Sequence, residues 1–378
     1  MENNRPKLVY VIDTESIGGT EKYVLDLARH MVNDYNVTVV CPNIHAIDPW
    51  VVQLEGYGIT VERDRLRCLI NLVGFYRWRK RLKQAQIVHF VLPCPARSRV
   101  TILAAWLAHT PIRLLTLQLV TPVDHRFWPH RLFTSWSIRA AFSTVHRIIT
   151  VSKYDAKQLQ KMLYISEVKL TPIYNAVDTS RYSPGNRGEY RHPVMAVIGR
   201  LHRQKGHRIL LEAIKDFPKM IGDFSLLLIG SGPDMTSLQA MVEEIGLSDY
   251  VEFMGRRHDI PGILRTVDIV VLPSLAEGFP FVMLEAMAVG KPIIASNLPG
   301  IRECVRDGIT GLLVPVGEAA QLQDALIKLI RNPELATAMG RSAHHHVNQH
   351  FVLEHMISNT KLVYQSLISG KYNIPVLA

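Results

Sequence analysis

The chain lacks several features that mark particular classes of protein. No apolar run reaches the roughly 18 residues that a helix needs to cross a bilayer. The amino-terminal residues 1–6 lead directly into a strand-like run, without a visible secretory signal. Cysteine is scarce, and the wide spacing of Cys41, Cys68, Cys94 and Cys304 fits neither a metal site nor a redox motif. Reduced thiols are typical of the cytoplasm, so we expect a cytoplasmic protein.

Two further absences concern metal ions. No two aspartates are separated by a single residue, so the chain has no Asp-x-Asp motif. His344, His346 and His350, with His345 between them, include the i, i+4 spacing of some metal ligands. They lie near the carboxyl terminus, far from the other motifs, and we expect an exposed histidine cluster there. The sequence therefore predicts no metal site and no metal cofactor.

The composition describes an ordinary globular protein with an uneven charge. With 378 residues, 48% of them apolar and 20% charged, the chain can form two α/β domains with separate cores. Its net charge of +10 is confined to one half. Residues 1–185 contain 24 Lys and Arg against 14 Asp and Glu, whereas the remaining residues contain 19 of each. The amino-terminal half is therefore the basic half.

Short apolar runs alternate with helical patterns along both halves, which predicts two parallel, doubly wound α/β sheets. The alternation breaks around the turn-forming segment Pro184-Gly185-Asn186-Arg187-Gly188. We therefore expect an amino-terminal Rossmann-like domain at 1–185, a second at 186–352, and a final helix at about 353–370. The predicted strands are Leu8–Ile12, Val37–Cys41, Ile87–Phe90, Leu114–Leu117, Arg147–Val151, Val194–Ile198, Phe224–Ile229, Val251–Phe253, Asp268–Leu272 and Pro292–Ser296.

The most informative motif is a pair of glutamates eight positions apart. Glu277 follows the predicted strand Asp268–Leu272, and Glu285 lies in the helix-like run that begins at Phe281. In open α/β sheets, ligands bind at the carboxyl ends of the strands. Carboxylates there can accept hydrogen bonds from the neighbouring hydroxyls of a sugar, so the pair indicates a nucleotide-sugar site.

The surroundings of the pair resemble a known signature. Gly-Phe-Pro follows the first glutamate, Glu-Ala-Met-Ala contains the second, and Gly-Lys-Pro lies beyond them. The segment from Ala276 to Ile294 resembles the signature of family 4 of the retaining glycosyltransferases, which have the GT-B fold. The resemblance extends from Gly18 to about Gly311. It implies two Rossmann-like doubly wound domains that face each other across a cleft, with the final helix at about 353–370 packed on the first domain.

Two loops are expected to face the phosphates of the donor. Gly18 and Gly19 open the first predicted helix, and a helix amino terminus offers free N–H groups to a phosphate. Arg200 and Lys205, five residues apart after the strand Val194–Ile198, can reach one diphosphate together. The resemblance assigns these two cations to the leaving group, where they would replace a metal ion.

The resemblance also implies roles for the remaining site residues. Glu285 would bind the ribose hydroxyls of the donor, and Glu277 the transferred sugar. Backbone groups after three strands would complete the donor site, although Pro280 has no N–H to offer. These positions are Gly230, Gly255, Arg256, Gly278, Phe279 and Pro280.

The chain departs from the family at one position. The family usually has a histidine at the end of the predicted strand Leu114–Leu117, where this chain has Gln118. Glutamine exchanges hydrogen bonds with a sugar hydroxyl but carries no charge, which affects the expected sugar preference. His89 matches the family and is expected near the cleft, on the side of the acceptor or sugar.

The basic half suggests a partner. Basic residues alternate with aromatic ones in Arg63 to Lys83 and again in His125 to Arg139. This mixture suits an anionic membrane surface or a lipid-linked acceptor. An arginine-rich solvated helix face is the alternative, and nucleic acid is a weaker one.

Together these patterns predict a metal-independent, retaining glycosyltransferase. It would transfer a hexose from a nucleoside diphosphate, UDP above all, to a cell-envelope glycan or lipid-linked acceptor at the inner face of the membrane. A nucleotide-sugar epimerase or hydrolase on the same fold is one alternative. A non-catalytic nucleotide-sugar-binding module is another.

Overall fold

The structure, a computed structural model, describes residues 5–64, 72–120, 128–185 and 191–370. These residues fall into two compact units, Met1–Tyr174 with Met356–Ala378, and Asn175–His355. The first unit ends at Tyr174, before the predicted boundary after residue 185. Asn186–Gly188 of the predicted turn segment lie outside the described residues. The earlier division has a physical reason, because Val177 already exchanges backbone hydrogen bonds with Phe351 and Leu353 of the second unit.

The first unit contains a seven-stranded parallel sheet of order β3-β2-β1-β4-β5-β6-β7. Its strands are β1 Lys7–Ile12, β2 Asn36–Pro42, β3 Thr60–Asp64, β4 Ile87–Leu92, β5 Ile112–Leu117, β6 Arg147–Thr150 and β7 Leu170–Pro172. Its helices are α1 Gly19–Met31, α2 Asp48–Gly56, α3 Leu72–Lys83, α4 Arg99–Leu107, α5 Trp128–Ser143, α6 Lys153–Leu163 and the terminal α15 Leu353–Ile368, of which residues from Met356 onward belong to this unit.

The second unit contains a six-stranded parallel sheet of order β10-β9-β8-β11-β12-β13. Its strands are β8 Val194–Ile198, β9 Ser225–Ile229, β10 Val251–Gly255, β11 Ile269–Leu272, β12 Ile293–Ser296 and β13 Gly311–Val314. Its helices are α7 His207–Ile214, α8 Phe217–Met220, α9 Met235–Glu244, α10 Ile260–Thr266, α11 Phe281–Ala288, α12 Pro299–Arg302, α13 Ala319–Arg331 and α14 Pro333–His350.

The central strands are apolar because helices cover both of their faces. All six residues of β4 and all four residues of β11 are buried. Strands buried on both sides are continuous runs of Val, Ile and Leu rather than alternating ones. The strand order of each sheet reverses at its centre, between β1 and β4 in the first unit and between β8 and β11 in the second. Ligand sites of open α/β sheets lie at such switch points.

A buried polar network joins the terminal helix α15 to the first sheet. The Oη of Tyr364 lies 3.0 Å from the Oη of Tyr10 and 2.7 Å from the Nδ1 of His89. The Nε2 of His89 lies 2.7 Å from the Oγ1 of Thr116. His89 is fully buried in the interior of the unit, and its predicted role on the side of the acceptor or sugar remains a prediction. Burial lowers the pKa of His89 to about 3, which keeps the ring neutral.

The lowered pKa of His89 predicts acid sensitivity. An unfolded chain binds a proton at this residue below about pH 6.5, whereas the folded protein does not until about pH 3. The free energy of unfolding should therefore fall by about 2 kcal/mol between pH 6.5 and about pH 5 through this group. We expect His89→Gln to lose that part of the pH dependence in urea titrations. The exposed control His345→Gln should retain it, and an unchanged slope in His89→Gln would contradict the assignment.

Candidate functional site

The topology of the second sheet places two predicted site loops side by side. Arg200 and Lys205 follow β8, and Glu277 follows β11, the two strands that flank the switch point. Two hydrogen bonds hold the loops together. The N–H of Leu275 donates to the carbonyl of Gln204 at 2.7 Å, and the Nε2 of Gln204 donates to the carbonyl of Ala276 at 2.8 Å.

This close approach requires glycine at position 206. Gly206 has a φ of +70°, in the left-handed region that other residues adopt only with strain. A Cβ at this position would lie 1.9 Å from the carbonyl oxygen of Pro273. The Lys-Gly sequence therefore does more than supply a cation, because its glycine lets the β8 loop reach the β11 loop.

The two loops bring a predicted phosphate ligand and a predicted sugar ligand into contact. The Nζ of Lys205 lies 2.6 Å from the Oε1 of Glu277. The Oγ of Ser274 donates to the same carboxylate oxygen at 2.7 Å. The side chains of Lys205 and Glu277 are 25% and 9% exposed, so the ion pair is largely shielded from water. The carboxylate therefore offsets the charge of the cation.

Arg200 is exposed, on a loop whose path depends on two further glycines. The N–H of Gly199 donates to the carbonyl of Ile229, and the N–H of Leu201 donates to that of Ser231. A Cβ at Gly230 would lie 1.8 Å from the carbonyl oxygen of Gly199, and one at Gly232 would lie 2.1 Å from that of Leu201. The glycines let the loops after β8 and β9 lie against each other.

The loops after β9 and β10, which the sequence predicts to contact the nucleoside, are hydrogen-bonded to each other. The N–H of Gly230 donates to the carbonyl of Gly255 at 2.8 Å, which leaves less of this backbone for a nucleoside than the sequence suggested. Gly255 has a φ of +63°, and the Arg256 that follows is exposed. The predicted nucleoside contacts of these loops remain predictions.

The Gly-Phe-Pro segment is fixed from two sides. The Nδ2 of Asn175 donates to the carbonyl of Phe279 at 2.7 Å, and the Phe279 ring packs against Phe351. A Cβ at Gly300 would lie 1.8 Å from the carbonyl oxygen of Gly278, so Gly300 permits another close approach. Gly278, Phe279 and Pro280 are all buried. The loop that leads into α11 is therefore rigidly placed.

Glu285 lies within α11, a helix with all eight residues buried. Its side chain is accordingly 6% exposed, an unusual position for a carboxylate. The helix ends at Gly290, which has a φ of +79°. A buried carboxylate at this edge of the sheet has the acceptor capacity that two adjacent hydroxyls require.

His207 is a site residue that the sequence patterns did not single out. It begins α7 directly after Gly206, and its side chain is 3% exposed. Among the described residues, neither of its ring nitrogens has a hydrogen-bond partner. Burial and, to a smaller extent, the charge of Lys205 lower the pKa of His207 to about 4. The ring is therefore neutral at pH 7 and adds no positive charge next to Lys205.

The glycine loop of the first unit differs from its expected arrangement. The N–H of Gly18 donates to the Oε2 of Glu21 at 2.6 Å. Glu21 is buried, so this amide is occupied by a carboxylate of the same helix. A phosphate at Gly18 would have to displace Glu21, whereas no such contact is made by the N–H of Gly19 among the described residues.

Three polar residues, which we call the polar cluster, follow strands or precede a helix near the switch point of the first sheet. Asp13 follows β1, Ser98 precedes α4, and Gln118 follows β5. The Oγ of Ser98 lies 3.4 Å from the Oδ2 of Asp13, and Ser98 has a φ of 55°. A non-glycine residue in this conformation is strained, and such strain concentrates at functional sites. Gln118 is partly buried, and its N–H donates to the carbonyl of Leu92 at 3.0 Å.

The histidines near the carboxyl terminus are less exposed than the sequence suggested. His346 is 9% exposed and packs against His350 and Phe351. The Nδ1 of His344 lies 2.6 Å from the carbonyl oxygen of Ala288. Within the described ranges, no group of three or more His, Cys, Asp or Glu residues is arranged to hold a metal ion. Over the same ranges, no helix is long and apolar enough to span a membrane.

Two family models match the chain. The model described as glycosyl transferases group 1 matches residues 184–346, and the model of glycosyltransferase family 4 matches residues 17–181. Together they cover well over half of the 378 residues, so the chain belongs to this family of glycosyltransferases. The predicted family is confirmed.

Several curated relatives are also similar. A glycosyltransferase of Methanocaldococcus jannaschii, uncharacterized, is 33% identical over 223 residues, which cover 58% of this chain and 60% of that protein. The UDP-Gal:alpha-D-GlcNAc-diphosphoundecaprenol alpha-1,3-galactosyltransferase of Escherichia coli is 26% identical over 254 residues, 64% of this chain and 65% of that protein. The chain thus matches less than two thirds of the length of either relative.

Solved structures show the same fold. Anabaena HepE, in complex with UDP and glucose, has a TM-score of 0.81 at 20% identity, over 96% of this chain and 100% of HepE. The lipopolysaccharide outer core galactosyltransferase WaaB has a TM-score of 0.70 at 19% identity, over 97% of this chain and 99% of WaaB. The predicted fold class, two parallel-sheet α/β domains of the GT-B type, is confirmed.

Substitution of Gly206 tests the close approach of the two site loops. Gly206→Ala should destabilise the protein through both backbone strain and the clash with Pro273, by more than the roughly 1–2 kcal/mol of the strain alone. Gly222→Ala is the matched control, because Gly222 has a φ of +84° and nothing within 4 Å of its would-be Cβ. If both variants lost the same free energy of unfolding in urea titrations, the contact between Gly206 and Pro273 would not require glycine.

Proposed function

We propose that this glycosyltransferase moves a hexose from UDP to a lipid-linked or cell-envelope glycan, with retention of anomeric configuration and without a metal ion. The observation that carries the proposal is the Lys205–Glu277 ion pair beside Arg200 at the switch point of the second sheet. The pair places a cation suited to a diphosphate next to a carboxylate suited to sugar hydroxyls. That combination matches the two ends of a nucleotide sugar.

The donor is proposed from both chemistry and similarity. Departure of the diphosphate leaves negative charge on its oxygens, which Arg200 and Lys205 would stabilise in place of a divalent ion. HepE has been crystallised with UDP and with UDP-glucose, and the Escherichia coli relative is named for UDP-Gal. These names support a UDP-hexose as the donor.

The ion pair suggests an order of events. A bound diphosphate would compete with Glu277 for Lys205, because both present anionic oxygens to the same ammonium group. Glu277 would then accept hydrogen bonds from hydroxyls of the sugar, while Glu285 would bind the ribose. The acceptor hydroxyl would attack the anomeric carbon on the face from which the diphosphate leaves. The bond from the anomeric carbon to the diphosphate oxygen would break, and the proton of the hydroxyl would pass to a diphosphate oxygen, so that configuration is retained. The protein supplies no second carboxylate at this loop to act as a nucleophile.

The acceptor is proposed to bind at the polar cluster of the first sheet. Asp13 and Gln118 offer hydrogen-bond acceptors and a donor for a hydroxyl at the carboxyl ends of β1 and β5. The named acceptor of the Escherichia coli relative is a diphosphoundecaprenol-linked sugar, and WaaB is named for the lipopolysaccharide outer core. These names support a lipid-linked or cell-envelope acceptor.

Removing the charge of Arg200 or Glu285 should abolish transfer. Arg200→Ala loses charge-assisted hydrogen bonds to the diphosphate, and Glu285→Gln loses those to the ribose. We expect losses of about a hundred-fold or more in kcat/KM for each variant. Arg203→Ala removes an exposed cation from the same segment and serves as the control, with near-normal activity.

The products of the reaction separate transfer from its alternatives. Release of UDP together with a glycosylated acceptor supports transfer. An altered UDP-sugar without a glycosylated product would indicate an epimerase, and UDP with free sugar would indicate a hydrolase. Binding of UDP-sugars without turnover would indicate a binding module. Near-normal transfer by Arg200→Ala and Glu285→Gln would reject the proposed site.

The variant Glu277→Gln tests the order of events. Because this change frees Lys205 from its carboxylate partner, UDP should bind as tightly as to the wild type or more tightly. UDP-glucose should bind more weakly by about ten-fold or more, since a charged hydrogen bond to the sugar is lost. Calorimetric titration of both ligands measures the two changes. Equal weakening of UDP and UDP-glucose would contradict the exchange of partners.

A further inference from the structure

The positive charge of the chain is concentrated in one continuous segment. Residues 65–166 contain 17 Lys and Arg against two Asp, while the rest of the chain contains 26 Lys and Arg against 31 Asp and Glu. Of the two aspartates, Asp124 lies outside the described residues. Asp155 is buried, where it accepts hydrogen bonds from the N–H of Val120 and the Oγ of Ser152. The described surface of this segment therefore exposes no acidic side chain.

The helices of this segment lie on the same side of the first sheet. The connections that contain α3, α4, α5 and α6 all run across the sheet in the same direction, from β3 towards β7. Right-handed connections that run in one direction place their helices on the same face of the sheet. Their inward residues belong to one hydrophobic core, which includes Trp78, Ile102, Ile138 and Leu159. The Nη1 of Arg99 also donates to the Oγ of Ser137 at 2.6 Å and links α4 to α5.

The outward sides of these helices combine cations with exposed rings. Together they form the basic face, defined by the exposed residues Tyr76, Arg77, Arg79, Lys80, Lys83, Trp106, Trp136, Arg139, Lys153, Lys157, Lys161 and Tyr164. Trp136 is 67% exposed and Tyr164 is 76% exposed. The guanidinium of Arg139 lies 5.3 Å from the centre of the Tyr164 ring.

We propose that the basic face docks on the surface of an anionic lipid bilayer. Lysine and arginine are attracted to anionic headgroups, and Trp and Tyr are enriched at the depth where headgroups meet acyl chains. The proposal deepens the proposed function, because a lipid-linked acceptor is presented at such a surface. The biological purpose of docking rests on the proposed function. The docking itself does not, because it requires neither the donor nor the acceptor.

The exposed aliphatic residues favour a bilayer over a nucleic acid. Val100 and Leu107 of α4 are 46% and 42% exposed, beside the exposed ring of Trp106. Burial of aliphatic side chains in the acyl boundary is favourable, whereas a phosphate backbone offers them no apolar surroundings. The combination of cations, indole rings and aliphatic side chains therefore matches a lipid surface.

Charge reversal on α3 tests the proposal. The protein is mixed with vesicles of phosphatidylcholine alone or of phosphatidylcholine with phosphatidylglycerol, and bound protein is measured by flotation. We expect binding only to the anionic vesicles. The triple variant Arg77→Glu, Arg79→Glu and Lys80→Glu should bind about a hundred-fold more weakly, or worse, since each lost cation near the surface weakens binding roughly five-fold.

The control carries the same change of charge on the second unit. Lys219, Lys328 and Arg341 are exposed there, and their triple replacement by Glu should leave vesicle binding close to that of the wild type. Equal losses in both variants would show a general charge effect and overturn the proposal. So would the absence of binding to anionic vesicles, or tighter binding to single-stranded RNA that the α3 triple variant abolishes.

The aromatic residues of the basic face provide an independent test. The double variant Trp136→Ala and Tyr164→Ala keeps every charge, so it should still bind anionic vesicles at low salt but dissociate at lower salt than the wild type does. An unchanged salt profile would reject a contribution from the rings. Binding of UDP-glucose, followed by thermal shift in all variants, separates this proposal from the proposed function. A protein that binds vesicles but not UDP-glucose would refute the proposed function and leave the docking proposal standing. A protein that binds UDP-glucose but not vesicles would refute only the docking proposal.

Discussion

The ion pair between Lys205 and Glu277 is the interaction on which the account of the site depends. It exists because two loops at the switch point of the second sheet approach closely, which Gly206 permits at Pro273. A cation and a carboxylate that are 72 residues apart in sequence thereby act as one unit. The buried, neutral ring of His207 beside them leaves Lys205 as the cation of that unit. The proposed exchange of partners on donor binding follows from this arrangement.

The sequence predicted most of the two sheets and missed three strands, two of which are polar or very short. The strands β3, β7 and β13 were not predicted, and all three lie at sheet edges. Edge strands are covered less completely than central ones, so they need fewer apolar residues. The β3 residues Thr60–Asp64 end in Glu-Arg-Asp, and β7 has only three residues. The buried central strands were recognised because both of their faces require apolar side chains.

The site residues could be named from motifs, but their contacts could not. Nothing in the sequence pairs Lys205 with Glu277, or indicates that the N–H of Gly18 is occupied by Glu21. His207 and Asp13 are buried polar residues outside any motif that was recognised, and burial becomes visible only when the chain folds. Several glycines of the motifs allow two backbone segments to lie close together. The sequence alone does not distinguish such a glycine from one that contacts a ligand. Local patterns therefore specify the elements, and tertiary contacts specify how the site residues are used.

A crystal structure with UDP-glucose bound tests the central claim most directly. The distance between the Nζ of Lys205 and the Oε1 of Glu277 is 2.6 Å in the present structure. The account predicts that this distance increases, with Lys205 in contact with a diphosphate oxygen and Glu277 in contact with a hydroxyl of the glucose. An intact ion pair in the presence of bound UDP-glucose would contradict the account.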